Sequence, residues 1–223
     1  IQDDQTSKVL GTGDLISDKN ILSTEIELLK SDVLFAKAIS KLNLETSIYA
    51  EGEILTQDLY RTAPFEIIIY QLSDSSLLDK RIDLKSNDNG EITLSMGENK
   101  LIAGKYNEHL VSKKFDIFIR TINKENANIL LDANSIYFNI NNRSALVSRF
   151  KPFLNVSLID EDAKTIEITY DYFNPRLAFD VVQSVIDEYL VWERDSKQTA
   201  ANKTIQFIDL QLDSLSRVLK QSK

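Results

Sequence analysis

The chain has 223 residues, 43% of them apolar and 27% charged, enough to bury a sizeable core as one domain or one and a half. That balance excludes a disordered segment. The formal charge of -8 comes without any cluster or stripe of Lys and Arg, which argues against nucleic acid or an anionic membrane as partner, and the absence of cysteine excludes disulfides and thiolate metal sites.

Residues 1–14 are polar and carry Gly11 and Gly13, the pattern of a loop or a strand remnant. Helix signals begin at Asn20. Thr24 with Glu27 fits a capping box, and Ile26, Leu29, Val33 and Ala36 share a face. Ser31 restarts the helix with a bend, and Phe35, Ala38, Ile39 and Leu42 extend its buried side to a stop at Asn43. A strand is predicted over Leu44 to Ala50.

After Pro64 the β-branched run FEIIIYQL has strand length. RIDLKS and EITLSM alternate on either side of the NDNG turn at Asn87 to Gly90, as a hairpin does, and KKFDIFIRTI continues in the same style. These segments predict an all-β antiparallel insertion at about 64–133. Mixed structure returns with SIYFNI at Ser135 to Ile140, a short helix over Arg143 to Phe150, the strand LNVSLID, and TIEITYDYF.

The last stretch, Asn174 to Lys223, contains no Gly and no Pro beyond Pro175. Asn174 is a good N-cap and Pro175 suits the first helical position. At about 1.5 Å per residue such a helix runs roughly 70 Å, whereas a compact domain of this size is roughly 45 Å across. Part of it must project. Ala178, Val181, Val182, Val185, Ile186 and Tyr189 form a broad stripe that roots it on the domain. Beyond a polar stretch in which Glu193 and Lys197 can pair, the apolar positions narrow to Ile205, Ile208, Leu212, Leu215 and Leu219. Their steps of three and four match a coiled-coil seam, and equally an amphipathic helix lying on its own domain.

Together these elements predict an α+β fold: a mixed sheet with helices on one face, an antiparallel β insertion and a long projecting C-terminal helix. The division expected is 1–63 and 134–173 for the base domain, 64–133 for the insertion and 174–223 for the helix.

Motifs for chemistry are sparse. His109, the single histidine, falls in a loop-like stretch with no Ser or Asp at a triad spacing, and reads as a surface residue. Gly11-x-Gly13 lacks a third glycine, and no phosphate-cradling loop is present. Asp160, Glu161 and Asp162 read as a solvated turn, with loose calcium binding the alternative. Tyr189 and Trp192 read as cover for the core edge, with a sugar-stacking platform the alternative. No catalytic residue, cofactor or metal ligand is assigned.

The runs LSTEIELLKSDVLFAKAISKLNL and SIYAEGEILTQDLYRTAPFEI resemble the segment after the first membrane helix in polysaccharide co-polymerases, the bacterial chain-length-determinant family. The Glu25–Ser31 element and the Leu59-Tyr60-Arg61-x-x-Pro64-Phe65 element carry the likeness. The latter resembles the larger members, which include the tyrosine autokinases of capsule and exopolysaccharide export. At the other end, Asn174-Pro175-Arg176-Leu177-Ala178, then Tyr189, then Phe207-Ile208-Asp209-Leu210-Gln211-Leu212 are similar to the family's Pro-x-x-Ala, Ala-x-x-Tyr and Phe-Leu-x-x-Gln-Leu pattern.

The resemblance implies a non-enzymatic periplasmic segment of an inner-membrane protein, anchored through flanking membrane helices absent here, with any kinase domain in cytosolic sequence. It implies a homo-oligomer and, as partners, a polysaccharide polymerase or an outer-membrane export channel. The start at Ile1 and the mid-helix end carry the same expectation of a longer parent. Two other classes compete: a periplasmic adaptor of a secretion or efflux system, and a carbohydrate-binding module.

Overall fold

The structure, a computed structural model, describes residues 22–87, 90–133 and 135–221. The reading of residues 1–14 lies outside them. The described residues begin with two helices: α1 (residues 22–29) and α2 (Asp32–Ser40). Ser31 separates them as predicted. Its side chain caps α2 by accepting from the Leu34 N–H at 3.2 Å.

That break resets the helical phase. Leu34, Phe35, Ala38 and Ile39 turn inward, while Val33, expected on the buried face, is 70% exposed. Thr24 is corrected too, because residues 22 and 23 are already helical and Thr24 cannot be their cap. The helix stops at Ser40, before the predicted Asn43, where the Lys41 N–H bonds the Ala38 carbonyl and closes the last turn.

The strands are β1 (Thr46–Glu51), β2 (Thr56–Asp58), β3 (Phe65–Leu72), β4 (Arg81–Ser86), β5 (Glu91–Met96), β6 (Asn99–Lys105), β7 (His109–Val111) and β8 (Phe115–Thr121). Helix α3 (Lys124–Ala133) follows, then β9 (Ser135–Ile140), α4 (Arg143–Phe150), β10 (Leu154–Asp160), β11 (Thr165–Tyr170) and α5 (Pro175–Gln221).

The α+β class holds, with antiparallel pairing between the named strands and a long C-terminal helix. One sheet has six strands in the order β2-β1-β9-β4-β5-β6 and a second has three, β3-β8-β7. Their facing sides form the first core: Ile82, Leu84, Ile92, Leu94, Ile136 and Phe138 from one sheet, Phe65, Ile67, Phe115, Ile117 and Ile119 from the other. In each strand the buried residues are two apart, which is how a pleated strand buries one face.

The second core lies between α1, α2, α4, the β10–β11 hairpin and the start of α5, with Phe35, Phe150, Val156, Tyr170 and Val181 at its centre. β9, assigned from sequence to the base, pairs with both β1 and β4 and so joins the expected insertion to the base in one sheet. The stretch expected to be all-β also contains α3. Its Asn123 cap accepts from the Asn126 N–H at 3.1 Å, and Ala127 is fully buried against the sandwich. In the predicted hairpin the Gly90 N–H bonds the Asn87 carbonyl with Gly90 at a φ of 75°, a conformation glycine adopts without strain.

Candidate functional site

Helix α5 spans 47 residues. Its start is capped as expected: Asn174 Oδ1 accepts from the N–H groups of Arg176 and Leu177 at 3.0 and 3.2 Å. The same side chain donates through Nδ2 to the Asp58 carbonyl at 3.0 Å, fastening the helix to β2.

The root is buried. Leu177, Val181 and Val185 have 1%, 0% and 0% exposure, and Ala178, Val182 and Tyr189 flank them. Burying three such side chains contributes about 1.5–3 kcal/mol each. Polar ties add direction: the Ser184 hydroxyl donates to the Ala38 carbonyl at 2.8 Å, Arg61 pairs with Asp180 at 2.9 Å, and Lys41 pairs with the nearly buried Glu188. The phenol of Tyr189 is pushed up to about 12 by burial and by the neighbouring carboxylates of Glu25 and Glu193, so it stays neutral.

Beyond Ser196 no described residue of the helix is buried. Every residue from Lys197 to Leu212 is exposed. Lys197 and Glu193 form the predicted pair at 2.6 Å. Of the seam residues, Ile205, Ile208 and Leu212 are 56%, 50% and 58% exposed, and the side chains of Leu215 and Leu219 lie outside those described.

Two further exposed side chains, Phe207 and Leu210, stand roughly 150° around the helix from the seam at 3.6 residues per turn. The distal half therefore presents apolar groups on two opposite faces. The heptad reading singled out one of them; the FIDLQL run carried the signal for the other.

A groove of about 510 Å³ runs between α1–α2 and α5, with Val33, Val191 and Trp192 on its walls. Tyr189 and Trp192 stack at 6.4 Å, and Trp192 is 42% exposed. His109 lies on strand β7, not in a loop, where it bonds Asp116 at 2.8 Å on the surface. Asp160 at the end of β10 and Glu161 and Asp162 in the turn after it stand exposed, with Asp160 Oδ1 accepting from the Ala163 N–H at 2.9 Å. Among the described residues no three His, Cys, Asp or Glu side chains converge on a metal-sized site, and no helix is long and apolar enough to cross a membrane. Compared with protein-family models and with curated proteins, the chain matches none.

Proposed function

We propose that this chain is the periplasmic scaffold segment of an inner-membrane protein that takes part in assembly, chain-length control and export of a surface polysaccharide. The observation that carries the reading is α5: a root fixed by burial and polar ties, and a distal half with apolar side chains in solvent on two faces. A helix of that kind is made to be met from two sides, as by a second helix and a neighbouring protomer. The elements that resemble polysaccharide co-polymerases are compatible with this role, since Leu59, Tyr60 and Phe65 are buried and Asn174 opens the helix. In this reading the segment acts by geometry: oligomerised protomers gather polymerase or export partners, and any kinase chemistry belongs to cytosolic sequence outside this chain.

This segment has no cysteine, so once any cysteines elsewhere in the parent are replaced by serine, single substitutions report contacts without background. In cells expressing the whole gene, Leu212→Cys under mild oxidation is expected to give a disulfide-linked dimer, while Glu98→Cys in the exposed β5–β6 turn is not. Equal yields at the two positions would remove the proposal.

A further inference from the structure

The outward face of the six-stranded sheet carries a row of facing residues that crosses five strands. Asp58 on β2 is opposite Tyr49 on β1, Tyr49 opposite Tyr137 on β9, Tyr137 opposite Asp83 on β4, and Asp83 opposite Ser95 on β5. With strands about 4.8 Å apart the row extends roughly 20 Å. Its neighbours Ile82, Leu84, Ile136 and Phe138 point the other way, into the sandwich core.

The two tyrosine rings stack at 5.0 Å and 22°, and the Arg81 guanidinium lies 4.1 Å over Tyr137. At the β1–β2 end a wall from the other core overhangs this floor. Phe153 meets Tyr172 edge-on at 5.0 Å, and Tyr172 meets Phe173 at 4.8 Å. Between floor and wall lies a cleft of about 340 Å³ that Asp58 and Arg149 also line, a size within the range of small-ligand sites.

Both polar groups are held in place. Arg149 donates to the Tyr49 hydroxyl at 2.6 Å and to Asn141 Oδ1 at 2.8 Å, and Asp58 Oδ1 accepts from the Tyr60 N–H at 2.9 Å. Phe173, by contrast, is 82% exposed, a large ring kept at the mouth of the cleft in water.

One open aromatic ring at the mouth, the edges of a stacked tyrosine pair beneath it, and a fixed donor and a fixed acceptor beside them fit a ring that has apolar faces and a rim of hydroxyls. A pyranose is such a ring, and its hydroxyls both donate and accept. Charge selects further. Two arginines stand among the three carboxylates of Glu51, Asp58 and Asp83, and Arg81 is already bound to Glu51 at 2.6 Å and to Asp83 at 2.8 Å, so carboxylates outnumber the cations and a polyanion is disfavoured. We propose that this cleft binds a neutral glycan, with one pyranose stacked on Phe173 above the edges of the Tyr49–Tyr137 pair and the chain continuing along Asp83 and Ser95. This goes beyond the scaffold reading, because a scaffold can work without touching the polymer, and the two stand or fall separately.

The test is saturation-transfer NMR and calorimetry on the isolated chain, with neutral hexose tetrasaccharides (cello-, malto-, manno- and β-1,3-gluco-) and a hyaluronan tetrasaccharide as polyanion. Binding of at least one neutral sugar is expected. Phe173→Ala should weaken it about tenfold, Phe173→Trp should retain it, and neither should alter thermal unfolding, since the ring is exposed. Absence of binding to every neutral sugar at millimolar concentration overturns the proposal, as does preference for hyaluronan or equal binding by Phe173→Ala. Phe173-dependent binding to phosphatidylglycerol–phosphatidylethanolamine vesicles, without sugar binding, would show a lipid contact instead and also overturns it.

Discussion

Asp58 is the residue at which the two cores are tied together. Its carboxylate accepts from the Tyr60 N–H, its second oxygen lies 3.4 Å from the Tyr172 hydroxyl, and its carbonyl accepts from the side chain that caps α5. Burial raises its pKa above the ordinary carboxylate value, opposed by the hydrogen bonds from Tyr60 and Tyr172 and by the charge of Arg149. Between the unfolded and folded values the folded state therefore holds the proton more tightly. Stability from this group is present at low pH and is lost as pH rises through the folded pKa. Asp58→Asn keeps an acceptor for Tyr60 and removes the buried charge, so its stability relative to the parent should be more favourable at about pH 7 than at about pH 4. Urea unfolding at both pH values checks the sign; a variant that loses more stability at the higher pH would show that the carboxylate is favourable. Nothing in the order of residues announces this junction, since Asp58, Arg149 and Tyr172 are brought together only by the docking of β2, α4 and the segment before α5.

At the scale of the element, α5 divides at Ser196 into a half that stabilises the fold and a half that does not. Val185→Asp places an unpaired charge at a site with no exposure and should cost on the order of 3 kcal/mol or more. Leu212→Ser, at 58% exposure, should change stability by less than about 0.5 kcal/mol. Chemical denaturation of the two variants side by side is the measurement, and comparable losses would mean that the distal half is packed after all. The division was legible because a broad apolar stripe narrows along the sequence. RIDLKS, EITLSM, SIYFNI and RSALVSRF were legible for a related reason, their period matching the face each one buries, and FEIIIYQL through its β-branched run of strand length. NKLIAGK was not, because a Gly and two Lys dilute its alternation, and three-residue β7 is too short to show any. Helix α3 had a signal, Asn123 ahead of Glu125, that the surrounding strand pattern obscured.

For the whole molecule, register and sheet membership are set by contacts far apart in sequence, which is why β9 was read as part of a separate base although it lies inside the six-stranded sheet. The row of Asp58, Tyr49, Tyr137, Asp83 and Ser95 was invisible for the same reason: its members come from five strands. The three seam residues described are half-covered side chains on one narrow helix, far short of the roughly 1,200–2,000 Å² that stable interfaces bury. The isolated chain should thus be monomeric at micromolar concentration by light scattering, and a tight oligomer would reveal an interface elsewhere. The free part of α5 also works as a lever. From its grip on α2 at Ser184 and Glu188 to Gln221 it is roughly 50 Å long at 1.5 Å per residue, so tilting the helix by about ten degrees there would carry the tip about 9 Å sideways. Small repacking around Ala38 and Lys41 would be magnified at the far end into a displacement larger than a side chain, letting one base with a slightly different footing set a different spacing between the tips of adjacent molecules.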